Sequence, residues 1–255
     1  MTSDARAGVQ SVERALDVLE FLGRSEGELG ESEIGAATGL SVGTAHRLLG
    51  TLVSRGYAHR NGSTRKYGLG LKSLAVAIAA RERVGPLALP FLEKLMEASQ
   101  ETANLAILEG KSLMYIEQAV PPKRVLRIFT EPGVRVPLHA TGSGKVLLAY
   151  QPPRLLDFFI GRERLSRQTV TTITDPGQLR AELARVRRRG YAVDHEEQED
   201  GVRCVAAPVF GPDGEVFAAM SVSGPATRLD NRRIERLVPD LKRVASDLSA
   251  ALDSL

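Results

Sequence analysis

The chain has 255 residues, enough for two modest domains, and 43% of them are hydrophobic, enough for a core in each. The formal net charge is only +3, so any surface that binds a polyanion must come from local clustering of charge. A single cysteine, Cys204, excludes an internal disulfide and a cysteine-rich metal site, the four histidines show no ligand spacing, and there is no apolar run of the ~18 residues that would suggest a membrane span.

Residues 1–8 are polar and lack an apolar signal core, so they read as a disordered lead-in to a cytoplasmic protein. Ser11 is placed to cap a helix whose apolar positions are Val12, Ala15, Leu16, Leu19 and Leu22. Ser32 is placed to cap a short helix carrying Ile34 and Ala37, with Gly39 at its end. Ser41 caps a third helix, in which Val42, Ala45, Leu48, Leu49 and Leu52 form an apolar stripe. Thr44, His46, Arg47, Thr51, Ser54 and Arg55 occupy its opposite face, and Gly56 ends it in the left-handed conformation. Residues 57–60 and 65–69 read as two short strands around the turn signal Asn61-Gly62.

Charge divides this unit. Residues 41–72 hold six cations (Arg47, Arg55, Arg60, Arg65, Lys66 and Lys72) and no acid, whereas residues 9–40 hold seven acids against Arg14 and Arg24. One positive face on an otherwise acidic body is the footprint of a domain that lies on a polyanion. A short helix, a tight turn and a second helix with a polar outer face make a helix-turn-helix, and the basic hairpin after it makes a wing. Such a module puts the N-terminal part of its second helix into the major groove of double-stranded DNA. Arg47 is the candidate for bidentate base contact. Ser41, Thr44 and His46 stand at the same helix end, and Arg55, Arg60, Arg65 and Lys66 are the candidates for phosphate, which sets register without carrying sequence information.

The winged domain is expected to span 9–70. A linker helix is expected over 71–85, with Leu71, Leu74, Ala75 and Ile78 on one side and Gly85-Pro86 as its stop. That apolar side is satisfied either by its twin in a second subunit or by docking on its own domain. From 86 to 255 the pattern turns mixed. A helix carries Phe91, Leu92, Leu95 and Met96; a hairpin follows over 103–118; a strand is expected over 125–129; and Thr141-Gly142-Ser143-Gly144-Lys145 leads into a helix. Further helices are expected over 153–160, from 174 to Gly190 and from 230 onward, with strands over 191–194, 204–210 and 216–223. Helices around an antiparallel sheet make an α+β domain suited to sensing.

Five ordered stretches resemble the IclR family of transcriptional regulators: Ser11-Val12-Glu13-Arg14-Ala15-Leu16, Gly43-Thr44-Ala45-His46-Arg47-Leu48-Leu49, the run from Pro137 to Lys145, Gly190 to Cys204 with Asp194, Glu197 and Gly201, and Ser221-Val222-Ser223-Gly224-Pro225. The resemblance implies a winged helix-turn-helix, a linker helix and a GAF-like effector domain. It also implies a homodimer or dimer of dimers, and a repressor of a catabolic operon that answers to a small organic acid. It carries an effector pocket onto Gly142, Ser143, Asp194, Cys204, Ser221 and Ser223. Physical reasoning agrees for two parts of it. Gly142 and Ser143 open a helix whose N-terminal N–H groups favour an anion, and Ser221 and Ser223, two apart on a strand, face the same side. Val125, Ile128 and Val136 are expected as apolar walls. Asp194 is the odd member beside an anion.

Three other readings were weighed. The 141–145 loop lacks the glycine and the hydroxyl of a nucleotide-binding loop, since His139 and Val146 stand there. Cys204 with His139 or His195 offers a nucleophile and base for a small-molecule hydrolase, but it opens an apolar strand. Glu196, Glu197, Glu199 and Asp200 read as a solvated acidic turn rather than a metal site. No catalytic residue, metal, cofactor or membrane is therefore expected, and the partners are a palindromic operator, the effector and further copies of the chain.

Overall fold

A computed structural model describes residues 9–25, 27–110, 112–122, 131–161 and 165–254. The lead-in 1–8 and the expected strand 125–129, with Val125 and Ile128, lie outside the described residues. The chain forms two compact units, 1–82 and 83–255.

The first unit contains α1 (Gln10–Arg24), α2 (Glu31–Thr38), α3 (Val42–Ser54), β1 (Ala58–Arg60) and β2 (Tyr67–Leu69), and then the start of α4 (Leu71–Ser99). Val18 and Leu22 from α1, Ile34 from α2 and Leu49 and Leu52 from α3 close its core with Ala58 and Tyr67 of the hairpin. Ser41 caps α3 as expected, its hydroxyl accepting from the Thr44 N–H. Gly39 closes α2 at φ 68°, a left-handed conformation that favours glycine. Two expected caps are corrected. Val9, not Ser11, stands at the N-cap of α1, and it has no side-chain cap bond. Gly30, not Ser32, precedes α2, its N–H donating to Glu33 at 2.7 Å. Leu29 exchanges two backbone hydrogen bonds of 2.8 Å with Tyr67, which holds the chain extended up to Gly30. Val42, placed on the apolar stripe of α3, is 55% exposed at the first turn. Arg65 and Lys66 lie in the turn before β2 rather than in the strand.

The stop at Gly85-Pro86 is also corrected: α4 runs unbroken through Pro86 and Pro90. A helical proline removes one hydrogen bond and costs about 3 kcal/mol or more. Here both prolines lie on the exposed side, while Val84, Ala88, Leu92 and Leu95 pack into the core of the second unit. Burial holds the helix together where local preference would end it.

The second unit is built on one six-stranded antiparallel sheet in the order β5-β4-β3-β8-β7-β6. The strands are β3 (Thr102–Glu109), β4 (Ser112–Ala119), β5 (Arg135–Pro137), β6 (Ala192–His195), β7 (Val202–Phe210) and β8 (Val216–Pro225). Alternation along the strands gives the sheet two faces. Leu105, Val205, Met220 and Val222 pack with α4 and with α8 (Asn231–Leu252). Ala106, Ala206 and Ala219 pack with α5 (Gly142–Ala149), α6 (Pro153–Gly161) and α7 (Pro176–Arg189). All of α5 is buried. A Cβ on Gly144 would stand 2.1 Å from the Leu138 carbonyl oxygen, so this approach of helix to strand end requires glycine. Asp175 and Asp230 cap α7 and α8, and Gly190 ends α7 at φ 74°.

Candidate functional site

The first site is the outer face of α3 and the hairpin. His46, Arg47, Arg55, Arg60, Arg65 and Lys66 are all exposed, with Ser41 and Thr44 at the first turn of α3. Ser41 and Thr44 bond to each other at 2.9 Å, so their hydroxyls serve the cap as much as any partner. Arg47 and Thr44 border a hollow of about 790 Å³ between α3 and α1, whose α1 side is Val12, Leu16 and Leu19. Arg60 lies over the ring of Tyr67, 5.4 Å from its centroid. Arg65 sits at φ 58°, unusual for a non-glycine residue, at the tip that also carries Lys66.

The acids of 9–40 do not keep to a separate face. Glu31 bonds to both the Tyr67 hydroxyl (2.6 Å) and His46 Nδ1 (3.1 Å), which ties the hairpin to α3. Glu28 binds His59, Asn61 and Thr64 of the wing. These bonds lower both carboxyl pKa values, chiefly through His59 for Glu28 and through Tyr67 for Glu31. Neither role is visible in composition, where both residues read only as acid.

The second site is the buried seam between α5 and the sheet. Asp194 pairs across the sheet with Cys204, and Cys204 with Ser223. Ser221 pairs with Asn104 of β3 and Ala206 of β7. Asp194, Cys204, Ser221 and Ser223 are therefore brought together on the face that meets α5, and Gly142 opens that helix close against Cys204: an added Cβ would stand 3.2 Å from Sγ. All six expected pocket residues from Gly142 to Ser223 are buried. Val136 sits on β5, with β4, β3, β8 and β7 between it and β6, and packs into the apolar cluster of this face.

Buried polarity defines the seam. The hydroxyls of Ser143 and Ser221 and the side-chain oxygen of Asn104 make no hydrogen bond of normal geometry, although Ser221 and Ser223 lie near enough to the Cys204 thiol to favour its anion slightly. Burial pushes the Asp194 carboxyl up to about 7, against the pull of the Glu197 N–H that its Oδ1 accepts at 2.6 Å. The Cys204 thiol is pushed up to about 11, first by burial and then by Asp194. A thiol that holds its proton is a poor nucleophile, and His139 and His195 bond elsewhere, to the Ser166 carbonyl and to Arg203.

Lys145 is fully committed inside the fold. Its ammonium donates to Glu197 Oε1 at 2.5 Å and to the Val193 carbonyl at 2.6 Å, and both side chains are buried. It is not a phosphate lysine, and Glu197 is not part of a solvated turn. No group of three potential metal ligands occurs among the described residues. Sequence reasoning missed Asn104, Lys145 and Glu197 as elements of the site. The available signal was a single amide in the apolar run 103–108 and one lysine as the sole charge in the helix 142–149.

An N-terminal helix-turn-helix with a wing, followed by an α+β unit with a polar seam, defines a DNA-binding regulator with an effector domain. Comparison with known proteins gives the family. The IclR helix-turn-helix domain matches residues 11–62, and the bacterial transcriptional regulator IclR C-terminal domain matches residues 70–250. The chain is 39% identical to the HTH-type transcriptional regulator BhcR of Paracoccus denitrificans over 244 residues, 95% of this chain and 87% of that protein. It is 33% identical to the acetate operon repressor of Salmonella typhimurium over 254 residues, 98% of this chain and 92% of that one. Its fold matches the crystal structure of an IclR homolog complexed with 4-hydroxybenzoate from Microbacterium hydrocarbonoxydans, with a TM-score of 0.64, 28% identity, and coverage of 96% of this chain and all of that one. The protein belongs to the IclR family of transcriptional regulators.

Proposed function

We propose that this protein represses a catabolic operon by binding a palindromic operator as a homodimer or dimer of dimers, and that a small organic acid held at the α5 seam alters that binding. The observation that carries the ligand reading is a pair of buried, unsatisfied hydroxyls, Ser143 in the first turn of α5 and Ser221 on the face of β8 that meets it. A buried hydroxyl without a partner costs free energy, and helix N-terminal N–H groups favour an anion, so a carboxylate there satisfies both. Asp194, with its pKa near 7, supplies a protonated oxygen to the same ligand. The relative bound to 4-hydroxybenzoate carries a ligand of this chemistry.

Dimerisation is supported by apolar surface that the chain leaves uncovered. Leu71, Leu74 and Ile78 on α4 are exposed, as are Val12 and Leu16 on α1. Docking of the α4 stripe on its own domain is thus not what the exposed side chains do. Burying a leucine or isoleucine contributes about 1.5–3 kcal/mol, and two winged modules give the contact area that one lacks. Repression at an operator places the protein in the cytoplasm. No helix among the described residues is long and apolar enough to cross a membrane.

The test uses the operator fragment, the full-length protein and a panel of small carboxylates. Replacing Ser221 and Ser223 together by alanine is expected to abolish the response to the active carboxylate while operator affinity stays within about twofold. A variant that still responds moves the ligand elsewhere.

A further inference from the structure

Glu28 lies in the acidic segment, in the loop before α2, yet its side chain reaches the wing. Oε1 accepts from His59 Nε2 at 2.9 Å and from Asn61 Nδ2 at 3.0 Å; Oε2 accepts from the same amide at 2.8 Å and from Thr64 Oγ1 at 3.1 Å. One carboxylate thus grips the end of β1 and both sides of the turn. His59 Nδ1 faces the Leu69 carbonyl at 3.1 Å, so both ring nitrogens meet acceptors, and the bonds to Glu28 and then to Leu69 raise the His59 pKa. Bonds to an ionised group are about twice as strong as neutral ones.

The turn held in this way includes one residue outside its preferred conformation. Asn61 Oδ1 accepts from the Ser63 and Thr64 N–H groups, and Arg65 is left at φ 58°. A non-glycine residue in that region persists where surrounding contacts over-determine it. The residues presented by the turn are Arg65 and Lys66, with Arg60 beside them on β1.

We propose that Glu28 is a positioning residue for DNA binding: a carboxylate that increases affinity for a polyanion by holding the wing in the shape that meets phosphate. This rests on the reading of Arg60, Arg65 and Lys66 as phosphate contacts. The sign of the effect separates positioning from charge. By charge alone, removing an acid near DNA tightens binding and steepens its salt dependence. If Glu28 positions the wing, removing it does the reverse.

The experiment measures affinity of the full-length protein for its operator over a range of salt. Glu28→Ala is expected to weaken binding about three- to tenfold, the loss expected for about one net hydrogen bond. It should also flatten the slope of log affinity against log salt by about one unit per lost phosphate contact. Glu28→Gln keeps an acceptor oxygen for Asn61 and Thr64 without the charge, and should retain more affinity than the alanine variant even if the latter loses some fold. Lys66→Ala should weaken binding in the wild-type protein and add little on the Glu28→Ala background. Tighter binding by Glu28→Ala, a steeper slope, or an undiminished Lys66→Ala effect on that background overturns the proposal. If Lys66→Ala, Arg65→Ala and Arg60→Ala all leave wild-type affinity and slope unchanged, the phosphate reading of the wing itself fails, a result distinct from a normal wing effect beside a gain from Glu28→Ala.

Discussion

The winged unit and the effector unit hold their charges in opposite ways. On α3 and the wing, five cations face solvent and the acids that touch this surface, Glu28 and Glu31, grip it from the side. At the α5 seam, Lys145 and Glu197 neutralise each other out of reach of water, and Asp194 is poised near 7 between its two protonation states. Exposed charges act at a distance and are weakened by salt; a buried pair is barely screened but costs heavily when one member is removed. The first arrangement suits a partner that is itself a polymer of charge, and the second suits a rigid frame around a small ligand.

The contrast is broken most directly at Lys145. Lys145→Met leaves Glu197 buried without its partner, and the expected loss is roughly 3–5 kcal/mol of stability in the second unit. Denaturant unfolding at low and high salt checks it: the loss should be nearly the same in both. A loss that vanishes in high salt would mean that the pair is solvated after all.

Arg47→Ala comes next. It should weaken operator binding by about 1–3 kcal/mol and relax discrimination at one base pair, read by titrating a set of single-site operator variants. An equal loss on random DNA would leave Arg47 as a phosphate contact only.

The smallest effect sharpens the other side of the comparison. Asp194 has its pKa raised from the ordinary carboxylate value to about 7. At the proposed site its protonated form donates to the anion, and that form is lost as pH rises through 7. Affinity for the active carboxylate should therefore be flat below neutrality and fall about tenfold per pH unit above it. The groups facing Asp194 are Lys145, Glu197, Cys204 and Tyr115, and burial pushes the thiol and the phenol up so that they stay neutral across this range. Calorimetric titration against pH reads the effect, and Asp194→Asn should remove it.

Local signals were strongest where a motif is set by nearby residues. The Ser41 cap, the Gly39 turn, the α3 stripe and the 102–119 hairpin all follow from spacing and turn chemistry. What escaped depends on distant parts of the chain. Pro86 reads as a stop because its local cost is known, whereas the sheet that buries Leu92 and Leu95 is not written nearby. The Leu29 bridge to Tyr67, 38 positions away, decides where α2 begins. In the pocket, residues two apart on one strand were readable as neighbours. Asn104 joins them only through the pairing of β3 with β8, and Lys145 only through the loop that brings Glu197 back over α5. The acids of the winged unit were the clearest failure, because their charge suggested distance from the DNA face and their hydrogen bonds put them against it.

The commitment of Lys145 to Glu197 has a consequence for how the protein would register its metabolite. Among the described residues at the seam, what remains for an incoming anion is neutral: hydroxyls, amide groups and a proton on Asp194. Recognition by hydroxyls, amides and a protonated carboxyl depends on directed donors. Discrimination then comes from shape and donor geometry, the properties that separate one short acid from the next when all carry the same charge.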